Sequence, residues 1–436
     1  MRKMKDSGIE WIGEIPEDWE VRRIKTLFQL RNEKSFKPLN EVNLISLYTD
    51  KGVLQHSDIE YVAGNKASNA DGYKCVYEED IVVNIILCWM GAIGRSSYNG
   101  VTSPAYDIYK PNVCTNSSFY HYYFRTTGFN GECFQRGRGI MLMRWRTYSE
   151  DFMDIKVCYP PLVEQQKIAD FLDKKCSEID SVISKTRETI EEYKKLKQSI
   201  ITEVVTGKVK IENEKACGKY DTYKDSGIEW IGEIPSEWSV IRTKFISDSM
   251  SKGNGITKEQ IVQNGDSPCV RYGEIYSKYN HSFSNCITKT NKSMYTNLQY
   301  FSYGDILFAC TGELPEEIGK NIVFLGKEDC LAGGDIIVMK HSQNPSFLNY
   351  VYNSYGQTQK SLGKTKLKVV HISATEIANI FVALPSLPEQ HQIADFLDKK
   401  CSEIDKLITK KEQLLVELEA YKKSLIYEVV TGKKES

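Results

Sequence analysis

Two stretches of the sequence concentrate positive charge without an intervening acid. The first basic loop, "QRGRGIMLMRWRTY", runs from Gln135 to Tyr148, and the second, "KSLGKTKLKVVH", runs from Lys360 to His371. Arginine and lysine bind phosphate oxygens, and arginine can also donate two hydrogen bonds to a guanine edge. The alternative is a solvated, flexible basic surface. We predict nucleic-acid contact by the cations of both loops, which are Arg136, Arg138, Arg144, Arg146, Lys360, Lys364, Lys366 and Lys368.

One further cation in each half follows a similar pair of apolar runs. Arg95 ends "EEDIVVN…AIGR", and Lys320 ends "YGDILFA…EIGK". The likeness of these runs predicts one fold in both halves, so we expect Arg95 and Lys320 at matching places. We predict nucleic-acid contact for these two residues as well.

Motifs that imitate catalytic sites are each incomplete. "NPSF" at Asn344 lacks the second proline of the adenine methyltransferase motif N-P-P-F/Y, so Asn344 is predicted to cap a helix before Phe347. "GQTQKSLGKT" from Gly356 has six residues between its glycines, too many for a phosphate-binding loop. "DIK" at Asp154 has no nearby "PD" to complete a nuclease metal site. We therefore predict a non-catalytic chain without a cofactor or metal of its own.

The elements that must position these residues are written twice. A tag, "KDSGIEWIGEIPEDWEV" from Lys5, recurs as "KDSGIEWIGEIPSEWSV" from Lys224. A longer segment containing "IADFLDKKCSEID" and ending in "EVVTGK" also occurs twice, after Tyr159 and after Leu384. Such repetition indicates two copies of one structural unit. The predicted domains are 1–158, a tag and first variable domain; 159–210, a long helix; 211–383, a second tag and variable domain; and 384–436, a second long helix.

Apolar residues in the two long segments recur at alternating steps of three and four. This spacing is typical of a coiled-coil seam. Prolines precede both segments, and Gly207 and Gly432 end them, so each is predicted as a helix of roughly 40 residues, about 60 Å long. Each helix needs a partner, and the nearest is its twin. The predicted pairing residues are Leu172, Ile179, Ile183, Ile190, Ile200, Val204, Leu397, Ile404, Ile408, Leu415, Leu418, Leu425 and Val429.

The variable regions alternate short apolar, β-branched runs with turn residues, and each contains one shorter helical stretch. We predict an α/β (α+β) domain with a mixed or antiparallel sheet in each. The tryptophans of the tags, with an Ile-Pro break between them, indicate an extended clamp whose indoles dock on the following domain.

Composition restricts the remaining possibilities. A formal net charge of -1 provides no overall attraction to nucleic acid, so any basic surface must be local. No run of about eighteen apolar residues is present, and the chain begins without a signal peptide, so we expect a cytoplasmic protein without membrane contact. The 12 cysteines show no metal-binding spacing and are interpreted as reduced thiols, including Cys176 and Cys401 at matching places in the repeats.

The paired "SGIEWIGEIP…W" tags, the paired "P-x-x-EQ-x-x-IA-x-FLD" helix starts and the variable regions between them resemble the specificity subunit of type I restriction-modification systems. The resemblance covers essentially the whole chain. It implies that each variable region is a target recognition domain for half of a split DNA sequence, and that the two helices pair antiparallel as a spacer.

The resemblance also implies partners. Two modification subunits would dock on the helices and methylate adenine with S-adenosylmethionine, and two restriction subunits, using ATP and Mg²⁺, would cut unmodified double-stranded DNA. Two alternatives stay open: an S-like module that serves an orphan methyltransferase or another restriction-modification type, and a coiled-coil adaptor that does not bind DNA.

Overall fold

The computed structural model describes residues 2–49, 51–58, 72–140, 145–312, 314, 317–364 and 370–436. The chain forms two compact units, the first made of Met1–Arg187 with Gln413–Ser436 and the second of Glu188–Glu412. Each unit contains one part of each long helix. This division therefore differs from the linear domain boundaries expected from the sequence.

The first unit contains one variable domain and the first tag. Its strands are β1 (Met4–Asp6), β2 (Glu14–Pro16), β3 (Glu20–Arg23), β4 (Phe28–Arg31), β5 (Lys34–Ser35), β6 (Ile45–Tyr48), β7 (Gly52–Gln55), β8 (Tyr73–Val76), β9 (Ile81–Asn84), β10 (Ile93–Arg95), β11 (Gly100–Thr102), β12 (Tyr106–Pro111) and β13 (Lys156–Tyr159). Its helices are α1 (Ile24–Leu27), α2 (Ser117–Phe124), α3 (Thr127–Arg136), α4 (Ser149–Met153) and the first part of α5 (Leu162–Val205).

The second unit contains the other variable domain and the second tag. Its strands are β14 (Ile211–Glu212), β15 (Lys215–Ala216), β16 (Tyr223–Asp225), β17 (Glu233–Pro235), β18 (Ser239–Arg242), β19 (Ser247–Lys252), β20 (Ser267–Val270), β21 (Ser282–Phe283), β22 (Thr288–Thr290), β23 (Tyr300–Phe301), β24 (Ile306–Ala309), β25 (Thr311–Gly312), β26 (Asn321–Phe324), β27 (Cys330–Ala332), β28 (Ile336–His341), β29 (Val370–His371) and β30 (Phe381–Leu384). Its helices are α6 (Tyr272–Ser277), α7 (Pro345–Tyr352), α8 (Tyr355–Ser361), α9 (Ala374–Ala378) and the first part of α10 (Leu387–Val430), whose last residues belong to the first unit.

Both variable domains are built around a comparable sheet. Strand order is β10-β9-β12-β4 in the first unit and β19-β28-β24-β26-β21 in the second. Every pair in the first sheet is antiparallel, whereas β21 joins β26 in parallel. The predicted α+β fold with a mixed or antiparallel sheet is confirmed.

The shorter helices α2 and α7 begin at the same kind of cap. The Asn116 side chain accepts a hydrogen bond from the Phe119 backbone N–H at 2.9 Å, and Asn344 accepts one from Phe347 at 2.9 Å. An asparagine cap satisfies a backbone donor that the helix itself leaves unpaired. The interpretation of Asn344 as a helix cap is confirmed.

The long helices α5 and α10 both end at a glycine that contacts a tag. Gly207 and Gly432 have φ of 73° and 71°, in the left-handed region that glycine adopts freely. A Cβ on Gly207 would lie 2.3 Å from Pro235, and one on Gly432 would lie 2.3 Å from Pro16. Each glycine is therefore required twice, to end the helix and to admit the tag.

The two long helices run antiparallel where they pair. In the first unit, Lys422 binds Asp180 at 2.6 Å and Arg187 binds Glu419 at 3.0 Å. In the second unit, Lys197 binds Asp405 at 2.7 Å. Residue numbers on α5 rise as those on α10 fall, which confirms the antiparallel pairing.

The predicted seam residues lie on the covered sides of these helices. In the first unit, the core contains Leu172, Ile179, Ile183, Leu425 and Val429, with Leu415 and Leu418 partly buried against it. In the second unit, Val204 and Leu397 belong to the core with Ile200 packed against it, Ile190 and Ile404 are buried, and Ile408 is half-buried.

Each tag folds as a short hairpin, β1–β2 or β16–β17, rather than as a simple extended clamp. Trp19 and Trp238, which follow the hairpins, are buried, and their indole N–H groups donate to Glu164 and Glu389 at 2.9 and 3.2 Å. Trp19 also packs edge-on against Phe119 of α2. The indoles thus join the start of each long helix to its variable domain.

Two properties of the described part of the chain complete the fold. None of its helices combines the length and apolar character needed to cross a membrane. All 12 cysteines are free thiols, and Cys176 and Cys401 are buried.

Candidate nucleic-acid interface

The first basic loop has a closed stem. The backbone groups of Arg138 and Arg146 exchange two hydrogen bonds, at 2.8 and 3.0 Å, which bring the two arms of the loop together. Below them, the Thr147 hydroxyl donates to the Cys133 carbonyl at 2.7 Å, and the Thr147 N–H donates to the Ile85 carbonyl at 3.0 Å. The loop is therefore anchored to α3 and to the end of β9.

Trp145 braces the same stem. Its ring stacks on Phe134, with centroids 5.3 Å apart, and its indole N–H donates to the Phe134 carbonyl at 2.9 Å. A Cβ on Gly137 would lie 2.2 Å from the indole nitrogen, so only glycine admits this close approach. Trp145 is part of the support for the loop rather than an exposed stacking surface.

Acids outside the loop sequence reduce its positive charge. The exposed Arg138 side chain binds Asp151 of α4 at 2.6 Å, and Arg136 lies 3.5 Å from Glu132 of α3. Arg146 is exposed and forms no ion pair with any described residue. Arg144 lies outside the described residues. DNA contact by these arginines stays a prediction, and for Arg138 it requires competition with a carboxylate.

The second basic loop returns to an equivalent place. Ile372 donates its N–H to the Cys310 carbonyl at 2.9 Å, as Thr147 does to Ile85. Ile85 follows β9 directly, and Cys310 follows β24 directly. The two loops thus join the same end of equivalent inner strands in two comparable sheets.

Lys360 does not lie on a basic surface, and the expectation that it does is wrong. Its side chain is buried, and the ammonium group donates to the Gly319 carbonyl at 2.7 Å and to Asn321 Oδ1 at 2.9 Å. Burial lowers the pKa of Lys360 well below its usual value. The amine is committed to neutral acceptors inside the second unit, so it is not available to a phosphate.

Lys360 begins a buried chain of polar contacts. Asn321 Nδ2 donates to Asn349 Oδ1 at 2.7 Å, and Asn349 donates to the His281 carbonyl at 2.8 Å. The His281 ring stacks on Tyr350, with centroids 4.0 Å apart. Burial, and then the nearby Lys197, lower the pKa of His281 to about 3, so the imidazole is neutral. The base of the second loop is thereby fixed to the interior of its domain.

The remaining cations of the second loop are only partly described. Lys364 is mostly covered, and its ammonium group donates to the His371 carbonyl at 2.8 Å and binds Glu376 of α9. The predicted contact residues Lys366 and Lys368 lie outside the described residues. DNA contact by Lys364, Lys366 and Lys368 stays a prediction.

Arg95 and Lys320 are not at matching places, contrary to expectation. Asp80 and Asp305 each accept a hydrogen bond from the backbone N–H three residues earlier, which makes Ile81 and Ile306 equivalent. Arg95 faces Ile81 in the register of β9 and β10, whereas Val323 faces Ile306. The residue of the second unit that corresponds to Arg95 is therefore Val323, which lies three residues after Lys320.

The side chains of Arg95 and Lys320 are also engaged. Arg95 binds Glu79 at 3.0 Å and donates to Ser118 Oγ at 2.7 Å. Lys320 is partly buried, donates to the Tyr276 carbonyl at 3.4 Å, and has a pKa lowered by burial. Their contact with DNA stays a prediction.

One contact fastens each variable domain to its long helix. Tyr122 of α2 donates to Asp173 of α5 at 2.7 Å, and Tyr350 of α7 donates to Asp398 of α10 at 2.8 Å. The tyrosines belong to the variable sequences and the aspartates to the repeated ones. Sequence analysis missed this contact, although the shared tyrosine three residues after Phe119 and Phe347 is a visible signal.

The long helices also carry identical exposed residues just beyond this contact. In the first unit the helix patch consists of Asp170, Lys174, Ser177 and Glu178, and in the second it consists of Asp395, Lys399, Ser402 and Glu403. Because these side chains are exposed, packing in the core does not explain why they are identical in the two helices. The two patches are therefore candidates for two equivalent docking sites.

Comparison with known proteins agrees with this duplicated arrangement. The sequence matches the family described as the type I restriction modification DNA specificity domain twice, over residues 16–192 and 235–419. The MjaVIII type I restriction enzyme specificity subunit of Methanocaldococcus jannaschii is 25% identical in an alignment of 437 positions that covers 96% of this chain and 93% of that protein. The EcoKI specificity subunit of Escherichia coli is 19% identical over 45% of this chain and 44% of its own length.

Solved structures show the same fold. A chain from a structure on complex assembly and conformational transition of the type I R-M system superposes with a TM-score of 0.71 at 13% identity, covering 96% of this chain and 99% of that one. The HsdS subunit of Thermoanaerobacter tengcongensis superposes with a TM-score of 0.55 at 15% identity, covering 96% and 98%. Two family matches thus coincide with the two variable domains and their helices.

Proposed function

The chain belongs to the type I restriction modification DNA specificity family, and we propose that it reads a bipartite DNA sequence for partner subunits that methylate and cut DNA. The observation that carries this proposal is the duplication. Two variable domains of one fold differ in surface sequence, yet each is fastened to its helix by the same tyrosine–aspartate contact. A scaffold that repeats while its exposed loops diverge suits the reading of two different half-sites.

The support for a DNA-reading role is the pair of basic loops, which attach at the ends of the equivalent inner strands β9 and β24. Arg146 is exposed and unpaired among the described residues, and Arg138 can exchange Asp151 for a phosphate or a base edge. An ion pair with both side chains near the surface contributes only about 0–1 kcal/mol, so that exchange costs little. Both loops are held by stems, which favours geometric selection among base sequences.

The partner role rests on the helix patches. Identical exposed residues on α5 and α10 offer two equivalent sites to two copies of one protein, for which we propose modification subunits. The methyl donor S-adenosylmethionine would then be held by those subunits, and ATP with Mg²⁺ by restriction subunits. The chain itself would contribute recognition without catalysis. Because its substrate would be chromosomal and invading DNA, we propose that it works in the cytoplasm in defence against foreign DNA.

The proposal is tested by co-expressing the chain with the methyltransferase encoded beside it, in a host without adenine methylation. Single-molecule sequencing is expected to reveal a new methylated motif of two specified blocks around a fixed gap. The purified chain alone is expected neither to methylate nor to cut. Methylation by the chain alone, or a continuous motif from the pair, would contradict the proposal.

A second experiment tests the first basic loop. Replacement of Arg136, Arg138, Arg144 and Arg146 by alanine should weaken methylation through the first block and leave assembly with the methyltransferase intact. The second block, read by the other unit, is the internal control. Unchanged methylation and affinity would place the DNA-reading surface elsewhere.

A further inference from the structure

Each tag is followed by the same pair of exposed cations. Arg23 and Lys25 follow the first tag, and Arg242 and Lys244 occupy the same positions after the second. Most residues around them differ, since "EVRRIKT" in the first copy corresponds to "SVIRTKF" in the second. Exposed charges are common, so their presence alone indicates little. Here the two cations are kept although the residues next to them are not.

The two pairs occupy the same place in their units. The backbone N–H of Ile24, between the cations of the first pair, donates to the Ile155 carbonyl at 3.0 Å. The backbone N–H of Thr243, between those of the second pair, donates to the Ile380 carbonyl at 2.8 Å. Each acceptor directly follows the residue that ends a short helix, α4 in the first unit and α9 in the second. The two helix ends are therefore equivalent.

An ion pair does not explain why both pairs of cations are present. The residue that ends α4 is an acid, Asp154, which binds Arg23 at 2.9 Å and Lys25 at 2.7 Å. The residue that ends α9 is an amide, Asn379, whose Oδ1 accepts a hydrogen bond from Arg242 at 3.4 Å. Neither cation of this second pair forms an ion pair within the described part of the chain. The cations are thus retained where the acid is not.

The same two helices connect these cations with the basic loops. Asp151 of α4 binds Arg138 of the first loop at 2.6 Å and lies three residues before the end of its helix. Glu376 of α9 binds Lys364 of the second loop and also lies three residues before the end of its helix. Residues three apart lie on one face of a helix. Cations therefore extend along one face of α4 and of α9, from the loop to the residues after the tag.

This spacing suits the backbone of a nucleic acid. Side chains three residues apart on a helix have Cβ atoms about 5–6 Å apart, and a DNA strand carries one negative charge for about every 3.4 Å of its axis. Successive phosphates can therefore meet successive cations along the helix. An acidic surface on a partner protein is the alternative. DNA is favoured because the cations continue from loops for which DNA contact is already proposed.

We propose that Arg23 and Lys25 in the first unit, and Arg242 and Lys244 in the second, bind DNA phosphates beside the half-site that their unit reads. This inference rests on the proposed function of binding DNA. Phosphate contacts fix the position of a protein on the duplex without reading its sequence. These cations would hold each domain in register while its loops select the bases.

The test uses the full chain assembled with its methyltransferase, a duplex with the methylated motif and a duplex without it. Combined Arg242→Gln and Lys244→Gln should make the slope of log affinity against log salt shallower by roughly 2, at about 0.9 for each phosphate contact. Binding to both duplexes should weaken by the same factor, because phosphates carry no sequence information. Sequencing of methylated DNA should show both blocks unchanged.

Combined Lys278→Gln and Lys327→Gln is the matched control. Both lysines are exposed in the second unit and lie close in sequence to β21 and β26, at the other edge of the sheet from β19, which follows the second cation pair. This variant also removes two charges and should leave the salt slope unchanged. An equally shallow slope would show that only net charge matters, and would overturn the inference.

Asp154→Asn tests the inference with the opposite sign. The substitution gives the first unit the amide that the second unit already has, so the fold should tolerate it. Arg23 and Lys25 lose their carboxylate, and the salt slope should become steeper by about 1. Combined Arg23→Gln and Lys25→Gln should make the slope shallower by only about 1, because the acid already neutralises one cation. An unchanged or shallower slope for Asp154→Asn would overturn the inference.

Assembly distinguishes DNA from an acidic partner protein. Size-exclusion chromatography should recover every variant in complex with the methyltransferase. If the Arg242 and Lys244 variant loses the methyltransferase, or if it assembles and keeps the wild-type salt slope, these cations do not bind DNA, while a bipartite motif from the wild type leaves the proposed function intact. If the wild type methylates no such motif, the proposed function fails, and the salt slope on the duplex without the motif decides this inference separately.

Discussion

Replacement of His121 by asparagine should remove part of the acid sensitivity of the first unit. His121 is half-buried, and burial, followed by the charges of Arg125, Arg95 and Lys422, lowers its pKa from 6.5 to about 3. The neutral ring accepts a hydrogen bond from the Arg95 backbone N–H at its Nδ1, at 3.2 Å. Asparagine can offer Oδ1 to the same donor but does not titrate near neutral pH.

The direction of the change in stability with pH follows from whether the folded or the unfolded state binds the proton. Below pH 6.5 the unfolded chain protonates this histidine, while the folded unit holds it neutral down to about pH 3. Stability is therefore lost as the pH falls through this window. At ~1.4 kcal/mol per pH unit, the loss between pH 7 and pH 5 is about 2 kcal/mol. The His121→Asn variant should not show this pH-dependent loss of stability. Any destabilisation caused by the smaller side chain should be the same at both pH values.

Urea unfolding at pH 7 and pH 5, followed by pulsed hydrogen exchange and mass spectrometry of α2 peptides, reports on this unit specifically. Phe129→Leu is the matched control, because it removes buried apolar contact from the same core without a titrating group. It should lower stability equally at both pH values. If His121→Asn keeps the full pH dependence of the wild type, burial of His121 is not what makes the unit acid-sensitive.

Three further predictions concern charge, docking and spacing. Asp151→Asn should free Arg138 and strengthen binding to the first half-site, with a salt slope steeper by about 1 in filter-binding assays; a weaker complex would refute the competition between carboxylate and DNA. Tyr350→Phe should destabilise the second unit by about 1–2 kcal/mol in urea unfolding, because Asp398 loses its hydrogen-bond donor; equal stability would show that the contact is dispensable. Insertion of four residues within 191–208 adds about 6 Å of helix and should change the gap between the two methylated blocks by one or two base pairs; altered blocks with an unchanged gap would exclude the helices as the spacer.

The helices and their pairing could be predicted from the sequence because helical periodicity is a local property. The seam residues from Leu172 onward follow a three-four spacing that any reading of the chain reveals. The Asn344 cap was equally visible, since Asn344 bonds to a backbone group only three residues further along the chain. The repeats supplied the remaining long-range information, because two copies of one helix are natural partners.

The candidate site could be predicted only in outline, because the sequence does not show which acids the fold brings next to a basic segment or which of its cations become buried. The segment around Arg138 contains no acid, but α4 brings Asp151 to it from beyond the segment. Lys360 reads as one of several surface cations, and only the packing of α8 against β26 reveals that it is buried. The expected match of Arg95 with Lys320 was wrong by three residues. A short likeness such as "AIG" and "EIG" does not determine which residues face each other on neighbouring strands.

The tyrosine–aspartate contact affects how a gene for such a chain can change. Tyr122 and Tyr350 are supplied by the variable sequences, while Asp173 and Asp398 lie in the stretch "IADFLDKKCSEID", which is identical in both long helices. A foreign variable segment that brings a tyrosine to this place meets a carboxylate already positioned for it. Recombination between the repeated coding sequences could therefore exchange a whole reading surface in one event, and the new protein would inherit an intact joint instead of having to evolve one.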